Sequence, residues 1–222
     1  MTSNETNEVL GIVERIGPVV LSAAVDQTGD TGPALRRAVG IMIADQNMIN
    51  LQTFVVAFSI CLELARLSAA TLATMDRVRK AALAETPVTL AAVQTVLAIV
   101  RLTLATEAQI LAATTFISRD QVDTIALSMN DAFNQTVEIA ADDMDAGTYQ
   151  VLIHLQGDVI QHLVDRGRLL PQIIDYSYPI VMPVLRMAQR AYADPSRYQE
   201  LINENKIVHP GFMPQSGKML AI

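Results

Sequence analysis

His154, Asp158 and His162 fall four residues apart in a segment of helical periodicity, which sets their side chains on one face. Two imidazoles and a carboxylate suit zinc or another transition metal. The competing reading is an exposed polar stripe that Gln150 and Asp165 complete. Zinc sites draw ligands from more than one element, and no other His or Cys lies nearby in sequence, so the stripe is the expectation. Asp142, Asp143 and Asp145, just before Gly147, raise calcium. Their spacing lacks the alternation and terminal Glu of an EF-hand loop, so a solvated helix break is expected there. No Gly-rich phosphate loop follows a strand, no nucleophile elbow is present, and no Ser or Cys partners the three histidines. The expectation is therefore a protein that is not an enzyme, with no catalytic residue, cofactor or metal.

Composition narrows what the supporting elements must be. Of 222 residues, 51% are hydrophobic and 18% charged, with mean hydropathy +0.30. Such a chain either enters a membrane or hides surface in an assembly. A spanning helix needs about 20 apolar residues. Gln46 to Leu62 is studded with Gln and Asn, and Thr86 to Val100 stops at Arg101, so no span is expected. The opening "MTSNETNEVLG" lacks the basic stretch and apolar core of a secretory signal. A net charge of −7 with only 16 Lys and Arg gives no footprint for nucleic acid, and "RVRK" at Arg77 to Lys80 reads as the cationic end of a helix. Cys61, the one cysteine, sits among Phe58, Ile60 and Leu62 and reads as a buried hydrophobe.

The helical signals run to about residue 170. Val9, Ile12, Val13 and Ile16 make a first stripe, disturbed at Gly17-Pro18. "DQTGDTGP", Asp26 to Pro33, is a loop. Ala34 to Ala84 predicts two helices or one long bent helix, interrupted mildly near Asn47 to Asn50. Thr86 is the expected N-cap of the next helix, with Pro87 in its first turn, running to about Thr114. Ser118 and Gln121 have capping-box spacing. Val122, Ile125, Met129, Phe133 and Val137 share one face of the helix they open. "ADDMDAG" breaks it, and Leu152, Leu155, Val159 and Leu163 renew the stripe up to Pro171.

From about Gln172 the pattern changes. "QIIDYSYPIVM" combines aromatic and β-branched residues with alternation and predicts a strand. Pro183 opens a helix, and Asp194-Pro195 caps and starts a second. Asn203 and Asn205 are placed to end it in left-handed conformation. "HPGFMPQSG" then turns into a final strand, "KMLAI". The expected fold is mainly α: an elongated helical bundle over residues 1–171, followed by a small α+β domain of βααβ order over 172–222.

This unit resembles a LysM domain. The stretch "AQRAYADPSRYQELINENKIVHPGFMP" is more closely similar to the C-terminal end of the tail proteins of Mu-like contractile phages called DNA circularisation proteins. That family carries a Tyr-Gly-Asp step, a run ending in Asn, then His-Pro-Gly-Phe and a Pro/Gly turn. The counterparts are Tyr192-Ala193-Asp194, Asn205 and His209-Pro210-Gly211-Phe212. The likeness is strong from about Asp175 and weaker through the Ala-rich helices. Ala193 stands where the family has glycine, and "PQSGK" is one residue longer than its turn. Family members carry an additional N-terminal domain; this chain opens almost directly in the helical region, so nothing of that domain's function is carried over.

The resemblance implies a structural component of a contractile phage tail, at the baseplate or the adjacent distal tube. It would be located in the virion, after assembly in the bacterial host cytoplasm. Other tail proteins and copies of the same chain would be its partners, with no nucleic acid and no membrane insertion. Within the βααβ unit, Tyr192, Tyr198, Leu201 and Phe212 are expected in the core. Asn205, His209, Pro210, Gly211 and Gln215 are the expected protein-interface residues. Two other readings compete: a peptidoglycan-binding LysM protein, and a helical metal-binding protein using His154, Asp158 and His162.

Overall fold

The structure, a computed structural model, describes residues 3–221. The chain is mainly α, with 72% of it helical. Among the described residues there are nine α-helices and one two-stranded antiparallel sheet. The helices are α1 (Ser3–Ala23), α2 (Thr31–Ala44), α3 (Leu51–Leu67), α4 (Leu72–Leu83), α5 (Leu90–Ala113), α6 (Arg119–Asp142), α7 (Ala146–Gly167), α8 (Val184–Tyr192) and α9 (Tyr198–Asn205). The strands are β1 (Ile173–Ser177) and β2 (Ser216–Leu220). Two compact units form, Met1–Thr114 with Ala132–Ile153, and Thr115–Asp131 with His154–Ile222. The boundary expected at 171/172 lies inside the second.

In the first unit α5 packs on α1, α3 and α4, while α2 packs on α1 and α3. Ile12, Ile16, Leu35, Met42, Leu62, Met75 and Ile99 are almost wholly buried between them, and the Phe54 and Phe58 rings stack at 5.4 Å. Each such side chain contributes about 1.5–3 kcal/mol by leaving water. The α1 stripe runs straight through Gly17-Pro18, which the sequence had marked as a disturbance. A Cβ on Gly17 would lie 2.6 Å from Ile43 Cδ1, so the glycine lets α2 approach closely, and Val20 stays buried beyond the proline.

The segment 34–84 breaks twice. The expected interruption at 47–50 is a 3-10 turn, Gln46–Ile49, where Asp45 Oδ1 accepts from Asn47 N and Asn50 Oδ1 from Gln52 N. The second break, between α3 and α4, was unmarked because Ser68-Ala69-Ala70 carries no Gly or Pro. There Ala69 takes φ 60°, Ala70 N donates to Ala65 O, and the Ser68 carbonyl accepts from Val25 N and Asp26 N. Thr71 and Thr74 then form a reciprocal cap. The cap of α5 is Thr89, not Thr86. The Glu8 carboxylate accepts from Val88 N (2.6 Å) and Thr89 N (3.0 Å), holding residues 86–89 out of the helix. These bonds, with the Thr89 side chain first, hold the Glu8 carboxyl below its ordinary range.

α5 also bears on the membrane expectation. Among the described residues it is the one helix long and apolar enough to cross a bilayer, and half of its apolar window is buried within the protein. The start of α6 follows the expected box in part. Ser118 Oγ accepts from Gln121 N, but Gln121 Oε1 reaches Ile117 N rather than Ser118 N.

In the second unit β1 and β2 pair antiparallel from Ile173–Leu220 to Ser177–Ser216. β1 is shorter than expected: it stops before Tyr178-Pro179, and pairing resumes only as a bridge between Met182 and Met213. Residue 222 of the expected final strand lies outside the described residues. The element order β1-α8-α9-β2 closes a core of Tyr176, Met182, Val184, Met187, Ala188, Tyr192, Leu201 and Met213. The start of β1 is tied to α6, since Ile173 N donates to Asp120 Oδ2 and Arg119 N to Pro171 O. Asp194 caps the turn after α8 as expected, accepting from Ser196 N with Pro195 next. The left-handed residue ending α9 is Lys206 (φ 51°), not Asn203 or Asn205. Tyr198 (37% exposed) and Phe212 (76% exposed) are not in the core. Tyr198 opens a helix buried through Leu201, and Phe212 lies on a turn closed by Phe212 N donating to His209 O.

Ala193 ends α8 with φ 57° and ψ 12°. A Cβ in this region costs about 1–2 kcal/mol relative to the right-handed form. Ala193→Gly is therefore expected to raise unfolding stability by about 1 kcal/mol, read as a higher denaturant midpoint at unchanged slope.

Candidate docking surfaces and a buried charge cluster

His154 and Asp158 are exposed on α7, and His162 is half-buried with its Nε2 shielded and, among the described residues, unpartnered. Among the described residues no three His, Cys, Asp or Glu side chains converge as a metal-binding group. Of the acidic trio, Asp145 caps α7 by accepting from Thr148 N (3.1 Å) and faces Arg101 at 3.3 Å. The Thr148 bonds come first in holding its carboxyl below the ordinary range. Asp142 and Asp143 are exposed. Cys61 is buried in the helical core, and burial pushes its thiol up to about 11.

The interface candidates of the βααβ unit divide by role. Asn205 is a clamp: Nδ2 donates to Leu201 O (2.9 Å) and Lys218 O (2.7 Å), and Oδ1 accepts from Lys218 N (2.8 Å). Gly217 is packed beneath it, where a Cβ would lie 2.1 Å from Asn205 Oδ1. Gln215 is exposed, its Nε2 donating to Pro179 O and its main-chain carbonyl accepting from Tyr178 N. His209, Pro210 and Gly211 are exposed, with the Pro210 carbonyl accepting from Val184 N.

Apolar residues that the sequence reading did not select are exposed beside them. Backbone bonds set 178–184 beside 210–215, and along these segments Ile180, Val181 and Phe212 are exposed, as are Val208 (82%) and Leu185 nearby in sequence. A signal was present: Val208 and Phe212 flank His-Pro-Gly in a turn too short to bury both.

The helical unit holds a second surface, a cleft of about 590 Å³ between α3 and α5. Leu51, Val55, Leu90, Val93 and Leu97 line it, with Arg101, Asp143 and Asp145 on its rim. The apolar character of α5 on more than one face was its sequence signal. Behind this face α5 carries Glu107, 2% exposed, whose Oε1 accepts from Arg79 Nε on α4 at 3.1 Å. Arg79 also donates to Asp76, which in turn meets Lys80 at 2.6 Å. Burial pushes the Glu107 carboxyl up to about 7 against the pull of Arg79.

No protein-family model matches the chain, and no curated protein matches it significantly.

Two outcomes follow. Because the folded carboxyl of Glu107 titrates near 7 and the unfolded one near 4.5, the unfolded state releases its proton first. Stability held below about pH 4.5 is lost as pH rises to 7, by roughly 3 kcal/mol at most. Glu107→Gln is expected to flatten that slope in urea unfolding measured from pH 4.5 to 7.5. Asn205→Ala, which removes three internal bonds, is expected to cost about 2 kcal/mol in thermal unfolding. Unchanged stability would contradict the clamp.

Proposed function

We propose that this chain is a structural component of a contractile phage tail or phage-like particle, at the baseplate or the adjacent tube. Its C-terminal unit is a LysM-like module that docks on another tail protein. The observation that carries the reading is the βααβ order together with the exposed apolar residues Ile180, Val181, Val208 and Phe212 on its turns, beside Asn205, whose side chain serves the fold. An exposed apolar cluster of this kind suits protein docking. The resemblance gains support at Ala193. The left-handed conformation there is what a glycine, the family's residue in that step, adopts without strain. Several copies on a symmetric ring would add weak contacts into firm attachment.

The test is purification of contractile particles from a host carrying this gene. The chain is expected to co-sediment with them in fixed stoichiometry, and Phe212→Asp to strip it from the particles while thermal unfolding stays unchanged. Absence from the particles would sink the reading. Saturable sedimentation of the full chain with purified peptidoglycan, insensitive to Phe212→Asp, would favour the cell-wall alternative instead.

A further inference from the structure

The two edges of the β1–β2 sheet differ. Lys218, which pairs with Asp175, turns its main-chain groups away from β1: Asn205 Oδ1 accepts from Lys218 N and Asn205 Nδ2 donates to Lys218 O. Leu220, two residues on, likewise donates its N–H to the Tyr192 hydroxyl. Side chains of α8 and α9 thus close the outer edge of β2. Hydrogen-bonded and non-hydrogen-bonded pairs alternate along an antiparallel ladder, so Ile173, Asp175 and Ser177 turn their own groups to the far side of β1. The bonds from Tyr178 N to Gln215 O and from Ala221 N to Gln172 O continue the ladder at its two ends in the same alternation.

On that far side the Ile173 N–H is taken by Asp120 Oδ2 at 2.7 Å. At the other end Pro179 has no N–H, and its carbonyl accepts from Gln215 Nε2. Between these stops lie Asp175 and Ser177, both exposed. Among the described residues their main-chain N–H and C=O groups have no partner, which leaves two donors and two acceptors open on β1. An edge in this state is a template for another strand.

A second β1 fits the template in a register that keeps like charges apart. Centred on Asp175, two antiparallel copies would set carboxylate against carboxylate, and Ser177 would meet Ile173, whose N–H is already used. Centred one residue on, at Tyr176, Asp175 of one copy stands opposite Ser177 of the other. Each then gives its N–H to the other's carbonyl, and the two-fold axis repeats the exchange, so every open group of Asp175 and Ser177 is used. The Ser177 hydroxyl shares a face with the opposing Asp175 carboxylate and can donate to it. On the other face exposed Ile174 meets half-buried Tyr178, an aromatic and β-branched pair of the kind that stabilises antiparallel sheets.

We propose that two copies of this chain pair β1 to β1, antiparallel about a two-fold axis at Tyr176, in one sheet of order β2-β1-β1-β2. The outer edges of that sheet are the β2 edges that Asn205 and Tyr192 close, so association stops at the dimer. The pairing uses only the second compact unit of each copy and stands independently of the tail reading.

Sedimentation equilibrium of the full chain over a concentration series tests the pairing, with amide hydrogen exchange followed alongside. The wild type is expected to form a reversible dimer and nothing larger, and exchange at Asp175 and Ser177 to slow as concentration rises. Ser177→Pro removes a donor that β2 does not use and sets its ring on the open edge. It should weaken dimerisation at least about tenfold, two bonds being lost per dimer, with the unfolding midpoint unchanged. Should that variant fail to fold, register is read from cysteine pairs. Ile174→Cys mixed with Tyr178→Cys should give a disulfide-linked heterodimer on oxidation. Neither should cross-link alone, because like positions lie too far apart and Cys61 is buried. A wild type that stays monomeric or grows past the dimer would overturn the proposal. So would Ser177→Pro dimerising as the wild type does, or cysteine variants that cross-link alone and not when mixed.

Discussion

The helical unit depends on one constraint: α5 is apolar nearly all round and must be covered. α1, α3 and α4 cover three sides of it, and their stripes of Ile, Leu, Met and Phe meet there. In that dry interface the only charges tolerated are those that neutralise one another, which is why Glu107 and Arg79 face each other across α4 and α5. The pair gains less from attraction than it would lose by standing alone, since an uncompensated charge in such surroundings costs several kcal/mol.

The second unit solves a different problem. Two five-residue strands cannot hold a core alone, so they are fastened by side chains from the helices. Asn205 acts as an extra stretch of strand for β2, and the Tyr192 hydroxyl accepts from Leu220 N. Arg197 lies over the Tyr192 ring at 4.0 Å and its guanidinium is held by Glu200, closing the corner between α8 and α9. Left-handed turns at Ala193 and Lys206 redirect the chain within single residues. The motif that drew attention for its resemblance is thus largely a set of folding instructions.

This division bears on function. Polar turn residues are tempting interface candidates, yet the Asn205 side chain is spent on bonds within the unit, whereas Phe212, Val208, Ile180 and Val181 are exposed. The helical unit shows the same pattern, with aliphatic residues of α3 and α5 left around a cleft after the core is complete. A chain that is half hydrophobic with so little charge has apolar side chains left exposed once its core is filled.

Helix content, the caps at Ser118 and Asp194, the 3-10 interruption near Asn47, and the βααβ order were legible because each rests on contacts within a few residues. Periodicity likewise located the buried faces of α6 and α7, where Val122, Phe133 and Leu163 lie. What failed were positions set by distant partners. Glu8, some eighty residues away, moved the start of α5 to Thr89, and the carbonyl of Ser68 was recruited by Val25 and Asp26 to break a run of alanines that would otherwise stay helical. The sequence by itself determined which segments would be helices and which faces would be greasy, because those are properties of spacing along one chain. Only the tertiary structure decided which greasy residues became core and which remained outside, because burial is a contest among all the faces for a limited interior.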